Sequence, residues 1–160
     1  MALREMIKQQ CEAWRSLGHT DLLGEFMLRN ADRERQGQRL PKPFKKQRDK
    51  LCFCNAGGLL LKNKDSPYTY YEGYAARASI MFPIHHAWLV VDDRVIDTTW
   101  RDPDETCLYF GKPFSYIEVA TRVSCTKYWG LLDTGMGYDA DYMITLDPGF
   151  SKVIGKKRSA

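Results

Sequence analysis

Apolar positions recur along this chain with two different periods, and the change of period organises it. Leu3, Met6, Ile7, Gln10, Cys11 and Trp14 are spaced at intervals of three and four, one face of a helix of about four turns. Gly18 is its stop, and Thr20 or Asp21 can cap a second helix carrying Leu22, Leu23, Phe26 and Met27 and running toward Arg33. Together they predict a helical hairpin laid on a core. Cys11 lies within the apolar stripe and reads as a small buried hydrophobe. Periodicity then fails between 35 and 50, where Gly37, Pro41 and Pro43 predict an extended loop.

The helical period returns in Leu51–Asn63, with a start near Cys52 and an end at Lys62-Asn63. Gly57-Gly58 costs this helix about 2 kcal/mol relative to two alanines, so close approach by another backbone is expected there. From Tyr68 the period becomes two. Tyr68 to Ala76 is a strand dense in aromatics, and Gly73 within it predicts a bulge or a near approach by the cysteine helix. Arg77 to Phe82 leads as a loop into Pro83–Trp100, two β-runs on either side of Asp92-Asp93.

If those two aspartates form a two-residue turn, Asp97 falls opposite Trp88 and His86 opposite Thr99, all on one face. His86 and Asp97 are then diagonal neighbours, within reach for a carboxylate to orient an imidazole. Beyond Trp100, Arg101 to Thr106 is a polar turn and Tyr109–Phe114 a further strand. Ser115–Cys125 fits a strand or an amphipathic helix, and Tyr128–Leu132 a short helix or turn.

Composition narrows the class. At 160 residues, 44% hydrophobic and 28% charged, the chain is an ordinary globular domain that needs no metal or disulfide staple. No run approaches a membrane span, and Met-Ala-Leu-Arg-Glu-Met lacks a signal-peptide core, so the protein is expected in the cytoplasm of its cell or host. The five cysteines, at 11, 52, 54, 107 and 125, show no repeated Cys-x-x-Cys spacing, so free thiols are expected.

Net charge is +4, with eight basic residues between Arg33 and Lys50 against Glu34 and Asp49, and a Lys156-Lys157-Arg158 tail. A solvated connector is the plainer reading. An acidic partner bound through residues 33–50 is the other.

A His-Asp pair on a hairpin is two thirds of a nucleophile, base and orienter set. A cysteine in the first turn of a helix can supply the third, because exposed N–H groups and the helix dipole favour its thiolate. Residues two apart on a helix point about 200° apart, so Cys52 and Cys54 cannot both face the hairpin. Cys52, nearer the helix start, is favoured, and Cys54 shares its face with the glycines. His85 points away from His86, which argues against a shared metal, and Cys107 and Cys125 lack a companion histidine. Glu72 reads as a solvated strand carboxylate and His19 as an exposed turn residue. Gly135 and Gly137 lack the context of a nucleotide loop.

Cys52-Phe53-x-Asn55-Ala56, Tyr71-Glu72-Gly73-Tyr74-Ala75, His86-Ala87-Trp88, Asp97-x-Thr99 and Tyr109-Phe110-Gly111-x-Pro113-Phe114 carry a resemblance over residues 50 to 115. In motif order the chain resembles the transglutaminase-like branch of the papain-like superfamily, and more narrowly a set of bacterial and phage proteins. The resemblance implies Cys52 as nucleophile, His86 as base and Asp97 as orienter. Gln47 has a loosely similar offset to the oxyanion glutamine of papain-like enzymes, but one residue is too little to place it in the site.

The expected fold is therefore α+β: an antiparallel sheet packed by a central cysteine-bearing helix, with an N-terminal helical hairpin. One domain is expected over 1–160, comprising the hairpin (1–34), the basic loop (35–50), the catalytic-type core (51–125) and a C-terminal extension (126–160). The expected function is thiol-dependent acyl transfer on a protein or a small amide or acyl substrate, with no cofactor, no metal and no membrane. Peptidase, amidase, deamidase and transglutaminase share that chemistry. The alternative is a non-catalytic binding or inhibitor protein, phage-encoded, acting on a host protein or nucleic acid.

Overall fold

The structure, a computed structural model, describes residues 1–78, 82–100 and 103–155. Parts of the loop expected at Arg77–Phe82 and of the turn after Trp100, and the Lys156-Lys157-Arg158 tail, lie outside the described residues.

Helix α1 (Leu3–Ser16) buries Leu3, Ile7 and Cys11, the stripe its spacing predicts. Gly18 follows with φ +78°, a left-handed position suited to a glycine stop. Helix α2 (Leu22–Asn30) is capped by Asp21, whose carboxylate accepts from Gly24 N–H, and it ends before Arg33. After it, Arg35–Gln36 forms a two-residue strand, β1, that the proline- and glycine-rich segment had hidden. The cysteine helix α3 spans Cys52–Lys62. Strands β2 (Thr69–Ala76), β3 (Ile84–Val91), β4 (Arg94–Ile96) and β5 (Leu108–Phe114) complete an antiparallel sheet in the order β1-β5-β2-β3-β4. Residues 115–125 resolve as helix: α4 (Tyr116–Thr126) opens with a capping box between Ser115 and Glu118, a signal stronger than the ambiguous periodicity. Tyr128–Leu132 is irregular, and α5 (Ala140–Leu146) and the short α6 (Phe150–Val153) follow it.

Helices α1, α2 and α3 pack on one face of the sheet, over Tyr70, Tyr74, Ala87, Leu89, Phe110 and Phe114. The other face holds a smaller aromatic cluster of Tyr71, Ala75, Trp88, Val90, Val95, Cys107 and Tyr109. The sheet curls until its edges approach. Arg35 on β1 pairs with Asp93 of the β3–β4 turn, and Gln38 donates to Val95 O on β4. The 35–50 segment bridges the remaining gap, with Gly37 N–H donating to Cys107 O and Gln47 N–H to Thr98 O, each at 2.6 Å.

Both expected close approaches at glycines exist, but with other partners. A Cβ on Gly73 would lie 2.4 Å from Gly111 Cα and from Phe110 O, so the crowding comes from β5 and not from α3. On α3, a Cβ at Gly57 would stand 3.0 Å from Trp129 Cε3, so the two glycines admit an indole rather than a backbone.

Candidate active site

Asp92 and Asp93 both have positive φ, 47° and 63°, which makes the two-residue turn that matches the strand twist. Leu89 pairs with Ile96, Val90 with Val95 and Val91 with Arg94, the register that turn dictates. The ladder ends at Ile96, so the expected pairing of His86 with Thr99 does not form. Asp97 Oδ1 accepts from Thr99 N–H at 2.8 Å and from Trp100 N–H at 3.2 Å, bending the chain out of the strand.

That bend carries the Asp97 carboxylate to the His86 ring. Nε2 of His86 lies 2.8 Å from Asp97 Oδ2, and Tyr109 O–H donates to the same oxygen at 2.9 Å. With donors on every side, Asp97 acts as an acceptor-only carboxylate, and Nε2 must be the protonated nitrogen that faces it. Burial pushes Asp97 up, but the His86 charge and the hydrogen bonds outweigh it and hold the carboxyl below its ordinary value. For His86 burial works downward, yet Asp97 and contact with Cys52 overcome it and raise the imidazole from 6.5 to about 9. Burial, aided by the Asp97 charge, pushes the Tyr109 hydroxyl well above its ordinary value and keeps it a donor.

Cys52 is the cysteine at the His86 ring. Its thiol is the ring's second polar neighbour and one of the groups that raise His86. With Nε2 committed to Asp97, Nδ1 is the nitrogen left for the sulfur. Cys52 is the first residue of α3, and no side chain caps that helix start. Asn55, one turn on, donates Nδ2–H to Thr99 Oγ1 at 2.9 Å and to Arg48 O at 2.7 Å. The start of the cysteine helix is thus tied to the segment that holds Asp97. Exposure falls from 7% at Cys52 to 2% at His86 and 1% at Asp97, so the sulfur is the outermost of the three.

Aromatic rings fix the imidazole plane. Trp100 stacks on it at 4.7 Å between centroids, with Trp88 at 6.4 Å and Tyr109 at 6.2 Å. A Cβ on Gly111 would stand 2.7 Å from Trp88 Cη2, so this glycine makes room for the indole. Neither ring carries a sequence signal of this role: Trp100 lies beyond the end of β4, and Tyr109 is the second residue of β5.

Cys54 points elsewhere. It lines a separate depression of about 240 Å³ with Leu51, Phe53 and Trp129. The Gln47 side chain lines a groove with Phe44, Leu59 and Tyr68. Cys11 is fully buried, and burial first, then Asp21 and Glu25, pushes its thiol up to about 12. Of the basic residues in 33–50, Arg33 pairs with Asp93, Arg35 with Asp32 and Asp93, and Lys46 with Asp49.

Glu72 departs most from expectation, being wholly buried rather than solvated. It accepts from Leu131 N–H at 2.7 Å, Leu132 N–H at 3.0 Å and Tyr70 O–H at 3.1 Å, and its Oε1 lies 3.0 Å from His85 Nε2. The sheet therefore carries two His-carboxylate pairs, one on each face. Strand alternation places His85 on the face opposite His86, but two of the donors that allow Glu72 to be buried, Leu131 and Leu132 N–H, come from about sixty positions away.

Among the described residues no three or more His, Cys, Asp or Glu side chains are grouped to hold a metal ion, and no helix is long and apolar enough to cross a membrane. In comparisons with known proteins, no family model, no curated protein and no solved structure matches this chain.

Proposed function

We propose that the protein is a thiol-dependent acyl-transfer enzyme of transglutaminase-like type, with Cys52 as nucleophile, His86 as base and Asp97 as orienter. The observation that carries this reading is the Cys52-His86-Asp97 sequence of contacts, with the imidazole raised to about 9 between a carboxylate and a thiol. At neutral pH such an imidazole holds a proton readily.

In the reaction, His86 Nδ1 holds the proton drawn from Cys52 while the sulfur attacks the carbonyl carbon of an amide or ester. The carbonyl π electrons move onto oxygen, and the uncapped N–H groups at the start of α3 face the developing oxyanion. Collapse of the tetrahedral intermediate breaks the bond to the leaving group, which takes the proton from His86. Water or an amine then attacks the thioester as His86 accepts its proton, and the Cys52 thiolate leaves. Asp97 keeps Nε2 protonated and facing away throughout, so that Nδ1 alone exchanges protons. A helix-borne cysteine over an antiparallel sheet, with the histidine on β3 and the aspartate just beyond β4, supports the transglutaminase-like assignment.

Incubation with p-nitrophenyl acetate tests this directly. The expected result is a burst of nitrophenolate and an acetyl group mapped to Cys52 by mass spectrometry, both lost in Cys52→Ala and kept in Cys54→Ala. Failure of Cys52 to acylate while other thiols do would refute the assignment and leave the binding-protein alternative.

A further inference from the structure

On the helix-covered face of the sheet, a cavity of about 480 Å³ is lined by Gln10, Trp14, Asp21, Tyr74, His85 and Tyr138, among others. Its size falls in the range of roughly 300–1,000 Å³ usual for small-ligand sites. From its lining we infer that it binds a small organic cation, a primary ammonium group on a short alkyl chain.

Charge points to that class first. Among the described residues no lysine or arginine lines this cavity, while Asp21 does. The Asp21 carboxylate is held by neutral donors only: Gly24 N–H at 2.9 Å, Gln10 Nε2–H at 2.6 Å and Tyr74 O–H at 3.1 Å. Among the described residues no cation pairs with it, so its charge remains for a ligand.

His85 supplies a second acceptor. The buried Glu72 takes hydrogen bonds from Tyr70, Leu131 and Leu132, and as an acceptor-only carboxylate it also requires the proton on His85 Nε2. Nδ1 then carries a lone pair, and among the described residues nothing donates to it. The walls are aromatic: Tyr138 lies edge-on to His85 at 5.4 Å, and Trp14, 44% exposed, stands at the mouth against His19 at 5.8 Å. Ring faces attract cations, and a carboxylate repels anions. Two acceptors, a carboxylate with no ion-pair partner among the described residues and π faces therefore suit R–NH3+.

The site makes no use of Cys52, and its test can be kept apart from the acyl-transfer proposal. Cadaverine is titrated into the protein, following the Trp14 indole N–H and the His85 and Tyr138 amides by 1H–15N NMR, with pentanoate as the anionic control. The expected result is saturable shifts with cadaverine and none with pentanoate, weakened at least about tenfold in Asp21→Asn, the worth of one charge-assisted hydrogen bond. Trp14→Ala, at a position 44% exposed, weakens binding read at His85 and Tyr138. Cys52→Ala leaves it unchanged. Absence of saturable shifts, equal binding of pentanoate, or unaltered affinity in Trp14→Ala would each overturn the assignment, even if Asp21→Asn, at the cap of α2, failed to fold.

Discussion

His86 and Asp97 meet at 2.8 Å between ring Nε2 and Oδ2, where the chain has just left the β4 ladder. Three further donors, the N–H groups of Thr99 and Trp100 and the Tyr109 hydroxyl, converge on the same carboxylate. Asp97 therefore acts as a fixed negative charge with one face turned to the ring. The tautomer and orientation of His86 follow from it, and with them the nitrogen presented to Cys52.

Removing that charge should release the imidazole. In Asp97→Asn the His86 titration, followed by NMR of its ring protons, is expected to fall from about 9, since burial is then opposed only by the contact with Cys52. An unchanged midpoint would mean that Asp97 does not set the histidine's charge.

The same shifts give stability a pH dependence with a definite sign. His86 is raised on folding, so its contribution is whole below 6.5 and drains away as pH climbs through about 9. Asp97 is lowered on folding, so its contribution is present above 3.8 and is lost as pH falls through its depressed value. Urea midpoints should therefore decline on the alkaline side between roughly pH 6.5 and 9, and Asp97→Asn should flatten that decline.

The two adjacent glycines of α3 should respond differently to alanine. A Cβ at Gly58 would meet Trp129 at 3.9 Å, an ordinary contact. Gly58→Ala is thus expected to stabilise by about 1 kcal/mol through helix propensity. At Gly57 the corresponding distance is 3.0 Å, so the indole must shift and the gain should be cancelled or reversed. Chemical denaturation of the two variants makes the comparison.

Glu72→Gln should cost far more. The amide would bring an NH2 donor into a buried nest of four donors, the N–H groups of Leu131 and Leu132, Tyr70 O–H and His85 Nε2–H. A loss of about 3–5 kcal/mol is expected for breaking a buried charged network. Hydrogen exchange should show the 131–132 segment released from the sheet, because its two N–H bonds to Glu72 are the ones weakened.

How much of this was legible in the residues differs from element to element. Local chemistry announced itself: the α1 stripe, the Asp21 cap and the two-residue turn at Asp92-Asp93 all rest on contacts within a few positions, and the approach of Asp97 to His86 follows from that turn. The two-residue strand β1 did not, because its pairing with β5 is set by residues seventy positions away. Trp129 over Gly57 and the backbone of Leu131 and Leu132 at Glu72 were hidden for the same reason. At 115–125 the capping box of Ser115 and Glu118 was present in the sequence and would have decided for helix. The end of β4 was misplaced because an aspartate that satisfies backbone N–H groups two and three residues ahead competes with strand pairing.

The central claim, that Cys52 is an activated nucleophile governed by His86, is tested most directly by its alkylation rate as a function of pH. Iodoacetamide labelling is quantified at each cysteine by mass spectrometry in the wild type and in His86→Asn. The account predicts that Cys52 is labelled at neutral pH faster than the other cysteines and that His86→Asn slows its labelling there, with Cys54 unaffected. A Cys52 profile that follows an ordinary thiol in the wild type, or one indifferent to the loss of His86, would contradict it.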